Sequence, residues 1–574
     1  ELAQRVTQLT NALVELGVGR QDVTSIVMPN FPETYYSLWA AETAGIANPI
    51  NPLLDSSVIK DIMIASSTKV LIGLGPVPGS DIWEKILEIK EQVPSLQAVI
   101  SVFGNDTAAS KDQRVPVFAF DSLLGRQSWQ ELKAQSAGQT DVCSYFHTGG
   151  TTGLPKLAKH LHLNELTNAA QMMLLSPKGA EDRVLIGLPI FHVNSAVTGL
   201  STIMKGGTII MASPSGFRGK NVIKNLLNLL NNYDIANMTA VPTVYAGLLE
   251  TVGDNTENVQ RPRSMDFALV GAAPLSEDLQ RKFKEKIGIS LVEGYGSTEG
   301  TAVSTVMPPD SIEKEKSVGL AIPGIKVLIG DIDENGQLLR LCDVGEAGEI
   351  LIAGNNVFPG YVEEKHNINL WVSTSDGLTL VRTGDLGKID NNGYLSLCGR
   401  KKELIIRGGH NIDPKMIEDV AATHPDVLLA AAVPRPDSYA GELPALYVTT
   451  TPASSADEAT LLAYMREHVP ERAAIPKSVI VLDEMPLTAV GKIYKPVLVG
   501  REIKQVVESE LADVVGDKLR AVRVRPDHHL GFVVCVELDH SLAANDVVAQ
   551  EIKSKFTSFT FVYELAYVGT GANT

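Results

Sequence analysis

The sequence predicts an α/β fold: a large N-terminal domain of doubly wound sheets with a β-barrel-like subdomain, then a small α+β C-terminal domain and an additional α/β tail. Three observations predict it. Helical and strand patterns alternate through the first third, short β-rich pieces with turn signals begin near residue 317, and alternation returns after Arg400. The 574 residues have room for several such units at ~100–200 residues per domain.

Leu9, Leu13 and Leu16 recur at helical spacing and stop at Gly17. This pattern starts with the first residues and has no cap before it, so upstream sequence is expected. TSIVM (24–28) is a predicted strand, and residues 32–45 are a predicted helix opened by Pro32 and closed by Gly45. VLIGLG (70–75), the amphipathic stretch 81–92 and AVISVF (98–103) repeat the theme. From 317, Asp-Glu-Asn-Gly and Asn-Asn-Gly stand between alternating apolar residues and predict hairpins. In the tail, Ile503, Val506, Val507 and Leu511 share a helical face. RAVRV, a Pro-Asp-His-His turn, FVVCVEL, a helix near 545–556 and FTFVYEL follow. The expected divisions are 1–316, 317–399, 400–504 and 505–574. The tail is expected to form a small α/β cap or to pair with the sheet of the small domain, with an oligomer contact or an acyl-site lid as alternatives.

Composition narrows the class. With 44% hydrophobic and 20% charged residues the chain is globular rather than disordered or fibrous. Fifty Lys+Arg against 67 Asp+Glu give a net charge of −17, which argues against nucleic acid as a partner, so any polyanion site must be a local exception. Cys143, Cys342, Cys398 and Cys535 are far apart, fit no disulfide framework or CxxC metal site, and suggest reduced thiols in a cytoplasmic protein. The longest apolar run, VLLAAAV (427–433), is strand-sized, so no transmembrane segment is expected. His528 and His529 are adjacent, which is not a chelating spacing.

The most informative motif is TGGTTGLPK at 148–156. Thr148, Gly149, Gly150, Thr151, Thr152 and Gly153 combine converging backbone N–H groups with hydroxyl donors, and Lys156 adds charge, as a polyphosphate requires. A Walker loop would need Gly-Lys-Ser/Thr entering a helix, and here the lysine follows proline. The segment resembles the phosphate loop of the ANL superfamily of adenylate-forming enzymes, usually TSGTTGxPK, with Gly149 replacing the serine. Further motifs of that family follow in its order over about 490 residues, and the resemblance implies their roles.

EGYGSTEG (293–300) is similar to the YGxTE element. It implies Tyr295 and Gly296 at adenine, Thr298 at the α-phosphate and Glu299 as a hard oxygen ligand for Mg²⁺. VGAAPLS (270–276) resembles the turn lining the adenine pocket and implies contacts from Gly271, Ala272 and Ala273. In RTGDLGKIDNNGYLSLCGRKKE, Asp385 resembles the carboxylate that takes the ribose hydroxyls, Arg400 the arginine reaching ribose or phosphate, and Lys402 the hinge residue. Gly491-Lys492 occupies the place of the catalytic lysine, carried on a turn of a mobile small domain. Gly408-Gly409 resembles the glycine pair along which pantetheine passes. PIFHVNS (189–195) implies His192 at the acyl site, as a donor to the carboxylate or a gate. VPTVYAGLL (241–249) implies Val241 and Tyr245 in the acyl pocket.

The resemblance implies an AMP-forming acyl-CoA synthetase using ATP, Mg²⁺ and coenzyme A. The tail has no Asp/Gly-Ser attachment segment, which favours free coenzyme A over a carrier protein, and Arg435 and Lys477 are candidate contacts for its phosphates. Segments 191–204 and 241–249 are apolar and offer no counter-charge for an α-ammonium group, so a fatty or other apolar carboxylic acid is the expected substrate. The alternatives are a fatty acyl-AMP ligase serving a carrier protein and a non-enzymatic nucleotide-binding scaffold. A homo-oligomer is compatible with the sequence.

Overall fold

The computed structural model describes the chain except residues 105–113, 149–154, 176–181, 254–260, 263, 266, 272–274, 309–316, 401–402, 409, 452–453, 528–530, 544–545, 558, 560 and 569–574. Two seven-stranded sheets form the large domain. The first runs, edge to edge, Val117–Ala119, Ala98–Val102, Thr68–Leu74, Val23–Val27, Ile46–Pro49, Val142–His147 and Leu157–Leu161, parallel except for the last pair. Val23–Val27 is buried along its whole length. Its alternate residues enter two cores, with Ile26 packed beside Leu9 and Leu38 and Val27 beside Ile59 and Ile86. Both faces of the strand are thus covered, by the helices Leu2–Glu15 and Pro32–Ala44 on one side and by Ser56–Ala65 and Ile82–Ile89 on the other.

The second sheet runs Leu320–Ala321, Thr305–Val306, Ser290–Tyr295, Phe267–Val270, Ile235–Ala240, Arg183–Ile186 and Thr208–Met211. Its five strands from Ser290–Tyr295 onward are parallel, and the two at the other end are antiparallel. A third, six-stranded sheet is antiparallel. The two predicted hairpins lie in it: Ile325–Ile332 with Leu338–Leu341, and Thr379–Ile389 with Leu395–Arg400. Gly336 and Gly393 take φ of 83° and 85° at their turns, a conformation that favours glycine.

The small domain is built on the pair Val427–Asp437 and Gly441–Thr450, joined by Ser478–Val481 and by the hairpin Ile405–Arg407/His410–Ile412. The tail has a sheet of its own, Leu519–Asp527, Gly531–Asp539 and Val562–Val568, so it does not extend the sheet of the small domain. The expected division at 504/505 falls inside one 21-residue helix, Lys495–Val515. Leu498 packs with Val433 and Tyr447 of the small domain, whereas Ile503, Val507 and Leu511 pack with Val534 and Phe556 of the tail. The apolar face foreseen for the tail thus belongs to a helix that serves two cores.

Candidate active site

One cleft of about 2210 Å³ lies where the two large sheets, the antiparallel sheet and the small domain meet. The turn carrying Lys492 enters it from the small domain. Gly491 has φ of 83°, its N–H donates to the Thr488 carbonyl at 2.9 Å, and the Lys492 N–H donates to Thr488 Oγ1 at 3.1 Å. The turn rests on the large domain: Thr243 Oγ1 donates to the Gly491 carbonyl at 3.0 Å, and a side chain at 491 would press on Val241 at 3.0 Å. Burial, aided by repulsion from Arg400, lowers the Lys492 pKa to about 8, against attraction from Asp385, Glu403 and Glu299.

Asp385 and Arg400 are register partners in adjacent antiparallel strands, which brings their side chains together. Tyr295 Oη donates to Asp385 Oδ2 at 2.7 Å and Arg400 Nε donates to Oδ1 at 2.7 Å. Each oxygen keeps a lone pair for a further donor. Burial pushes the Tyr295 phenol up, and the Asp385 charge raises Arg400 above its ordinary value.

Beyond Tyr295 the chain turns sharply. Gly296 is required here, because a Cβ would lie 1.7 Å from the Ala302 carbonyl oxygen. The segment is pinned from three sides: His160 Nε2 donates to the Thr298 carbonyl at 2.8 Å, Phe358 N–H to the Glu299 carbonyl at 2.9 Å, and Asn356 Nδ2 to the Gly300 carbonyl at 2.9 Å. The Glu299 side chain accepts from Tyr361 Oη, and Lys156 Nζ lies 4.9 Å from the centre of the Tyr361 ring. Among the described residues no group of three or more His, Cys, Asp or Glu could cage a metal ion. Glu299 is nevertheless a hard oxygen donor in a cleft suited to phosphates, and magnesium is commonly held by one or two carboxylates with phosphates and water. The residues therefore fit Mg²⁺ brought with a nucleotide.

On the remaining side, His192 caps the helix Val193–Met204. Its Nδ1 accepts the Asn194 N–H at 3.3 Å, so the neutral ring carries its proton on Nε2. Burial, reinforced by Lys492 and His147, lowers its pKa to about 3. His147 stacks on Phe191 at 5.8 Å, accepts the Asn51 N–H at 3.1 Å and is lowered by burial to about 4. Both rings are neutral at physiological pH.

Thr148, Lys156, His192, Gly271, Tyr295, Gly296, Thr298, Glu299, Asp385, Arg400 and Lys492 all line this cleft. Gly149 to Gly153, Ala272, Ala273, Lys402 and Gly409 lie outside the described residues. Tyr245 is not a pocket residue: the phase of the helix Pro242–Val252 turns it into the core, where it packs edge-on against Phe283 and donates to the Leu269 carbonyl at 2.7 Å. Val241 is buried beside it and meets the lysine turn, so Pro242, Thr243, Ala246 and Leu249 are the residues of this segment that reach the cleft. Gly408 lies away from the cleft, its N–H donating to the Ala440 carbonyl at 2.7 Å. Arg435 is bound to the buried carboxylate of Glu502, which leaves it ill placed for coenzyme A phosphates. Of the segment 191–204, Phe191, Val193, Thr198, Ser201 and Thr202 border the cleft beside His192 and Asn194, with no charged side chain among them. Sequence reasoning missed Tyr361 and His147. Tyr361 stands in a Pro-Gly-Tyr turn with no pattern to mark it, whereas His147 directly precedes the phosphate loop.

Fold and site together define an adenylate-forming enzyme. The chain belongs to the AMP-binding enzyme family: the family model matches residues 1–362, and the model of the AMP-binding enzyme C-terminal domain matches residues 416–492. It is 32% identical over 576 aligned residues to the marinolic acid–CoA ligase of Pseudoalteromonas sp. (strain SANK 73390), covering 99% of this chain and 85% of that protein. It is 28% identical to a feruloyl-CoA synthase of Amycolatopsis sp., covering 86% and 92%. Among solved structures it is similar to the o-succinylbenzoate coenzyme A synthetase of Bacillus subtilis in complex with ATP and magnesium ion. That likeness has a TM-score of 0.69 and 25% identity, covering 86% of this chain and 92% of that one.

Proposed function

We propose that this chain is an AMP-forming acyl-CoA ligase: it activates a carboxylic acid with ATP, releases pyrophosphate and transfers the acyl group to the thiol of coenzyme A. The observation that carries this reading is the presence of Lys492 of the small domain in one cleft with the Tyr295–Asp385–Arg400 cluster and Glu299. The names of relatives such as the marinolic acid–CoA ligase, the feruloyl-CoA synthase and a long-chain-fatty-acid–CoA ligase support the acceptor.

A carboxylate oxygen of the substrate attacks the α-phosphorus of ATP, and the bond to pyrophosphate breaks. Asp385 holds the ribose hydroxyls, with Tyr295 and Arg400 fixing its two oxygens in advance. The Lys492 ammonium meets the negative charge that develops on the α-phosphate and departing oxygens, and the Thr298 hydroxyl donates beside it. Glu299 would hold the magnesium, which would supply charge neutralisation for the phosphates. Catalysis here is positioning plus electrostatics, since the nucleophile is already ionised. His192 offers Nε2–H to the carboxylate without adding charge. In the second half-reaction the thiol sulfur attacks the acyl carbonyl, AMP leaves and the thiol proton passes to solvent. For that step the small domain turns about Lys402, withdrawing Lys492 and admitting the pantetheine arm along Gly408-Gly409.

The acid is the open variable, because relatives are named for acids as different as marinolic acid, sulfoacetate and long-chain fatty acids. ATP–pyrophosphate exchange with a panel of carboxylic acids, followed by detection of the CoA thioester, tests the reading. Exchange and thioester with the same acid are expected. Exchange without thioester assigns the acyl group to another acceptor, and no exchange with any acid overturns the proposal.

A further inference from the structure

The two edges of the tail's sheet are built differently. Its strands run in the order Leu519–Asp527, Gly531–Asp539 and Val562–Val568, so the first and the last are edges. The first carries features that keep an edge strand from pairing with a foreign one. It has a register shift between Leu519 and Ala521, a proline at 526, and exposed Arg520, Arg523 and Arg525. The last strand, VYELAYV, has none of these. It follows Gly531–Asp539 in unbroken parallel register from Val562 to Val568 and contains no proline, lysine or arginine. Among the described residues no strand pairs with its outer side. Its one charge, Glu564, reaches back across the sheet to Arg525, 3.5 Å away.

Side chains along this edge are only half covered. Tyr563, Leu565 and Tyr567 lie against the core of the tail yet remain half-buried, and Tyr563 meets Phe556 edge-on at 5.0 Å. On the other face Val562 and Val568 are 39% and 37% exposed. A strand of aromatic and β-branched residues with a free edge pairs readily. The sequence also reads nearly the same in both directions about Leu565. An antiparallel copy on a two-fold axis at Leu565 therefore sets like against like: Val562 against Val568, Tyr563 against Tyr567, and Leu565 against its own copy. Glu564 then falls opposite Ala566. Moving the axis to Glu564 would oppose two carboxylates, and like charges directly opposite each other are destabilising.

We propose that the outer edge of Val562–Val568 is a self-association site, where a second copy of this chain adds its own Val562–Val568 antiparallel across a two-fold axis at Leu565. The near-palindrome favours a second copy over a different chain, because only a like strand makes use of a match in both directions. Pairing joins the two tail sheets into one of six strands. It lays the Tyr–Leu–Tyr rows of the two copies side by side over the joined cores, where cross-strand aromatic and aliphatic pairs stabilise a sheet. Both outer edges of the joined sheet are then the guarded Leu519–Asp527 strand, so the assembly closes at two copies. No residue beyond Pro496 lines the cleft, so each copy keeps a complete site of its own and the dimer is read by mass rather than by activity.

Analytical ultracentrifugation of the whole chain from about 1 to 100 µM tests the proposal, a range suited to the small interface that one edge pair makes. The wild type is expected to approach twice the mass of one chain as concentration rises. V562K/V568K sets like charges opposite each other at both ends of the pair and is expected to raise the dissociation constant at least about tenfold. V562E/V568K differs from that variant at one position, sets opposite charges there instead, and is expected to return the dissociation constant to within about threefold of wild type. Both substituted residues are exposed in the single chain. V562K alone is expected to weaken the dimer about threefold and keeps the test open should a double variant fold poorly. A wild type of single-chain mass at every concentration leaves the edge to a different chain and overturns the second-copy assignment. A dimer unmoved by V562K and V562K/V568K, or a V562E/V568K variant as weak as V562K/V568K, overturns the two-fold pairing.

Discussion

Replacing Lys492 by methionine removes the ammonium and keeps most of the side-chain volume, which isolates its charge. The magnitude follows from two opposed effects. Loss of one preorganised donor to a developing oxyanion costs about 2.7–4 kcal/mol, so adenylation is expected to fall about 10²–10³-fold. Against this, the fall of the Lys492 pKa from its ordinary 10.5 to about 8 measures the cost of holding the charge in the cleft before substrate arrives. At about 1.4 kcal/mol per pH unit that is at most about 3.5 kcal/mol, reduced because the side chain is partly exposed and solvent screens it. The folded state therefore carries a penalty that is fully present below pH 8 and is relieved as pH rises from about 8 to 10.5. K492M is expected to be at least as thermally stable as the wild type at pH 7, and to lose that advantage toward pH 10. ATP–pyrophosphate exchange reads the chemistry: wild-type kcat/KM for ATP declines as pH passes about 8, where the free enzyme loses the ammonium, and K492M lacks this limb. Thioester formation from presynthesised acyl-adenylate is expected to change only a few-fold. Equal loss in both half-reactions, or a variant that keeps the alkaline limb, would refute the assignment of the charge to the adenylation step.

Three further outcomes are expected. Lys402→Pro leaves pyrophosphate exchange intact and slows thioester formation, and equal slowing of both steps removes the hinge. Tyr361→Phe takes away the hydroxyl that orients Glu299 and raises the Mg²⁺ concentration for half-maximal exchange about tenfold, as for one hydrogen bond to a charged group; an unchanged Mg²⁺ titration shows that the contact does not matter. His192, with its pKa held at about 3, contributes no limb between pH 5 and 7 to the exchange profile. Because its folded pKa lies below the ordinary 6.5, it also makes the protein lose stability as pH falls from about 6.5 toward 3; His192→Gln flattens that dependence in thermal melts, and a slope identical to wild type contradicts it.

The meeting of Tyr295, Asp385, Arg400 and Lys492 in one cleft is legible in the sequence because each lies in a short motif whose turn chemistry and side-chain type carry the information locally. Hairpin positions are legible for the same reason, since Gly336 and Gly393 mark turns that need positive φ. What escaped depends on rotation about an element's axis. Residues 191–204 have an apolar average, yet the helix commits Ala196 and Val197 to the core while Thr198, Ser201 and Thr202 join Val193 at the cleft. Tyr245 was similarly misplaced by helical phase: it lies three residues beyond the start of its helix at Pro242, and that phase points it at Phe283. Tyr361 reaches Glu299 across 62 positions of sequence, through strand pairing between Ala158 and Tyr361 that no local pattern records.

The helix Lys495–Val515 makes the tail a pointer. It emerges from the small domain three residues after Lys492 and ends in the core of the tail, with no flexible joint between. At 1.5 Å per residue it is about 31 Å long, so each 10° turn about its first residue carries its far end through about 5 Å. If the small domain turns as proposed, motion of the lysine turn is geared up into a displacement at the protein surface. A dye pair spanning the tail and the large domain would report the domain's angle during turnover, and a ligand that clamped the tail would brake the step that withdraws Lys492.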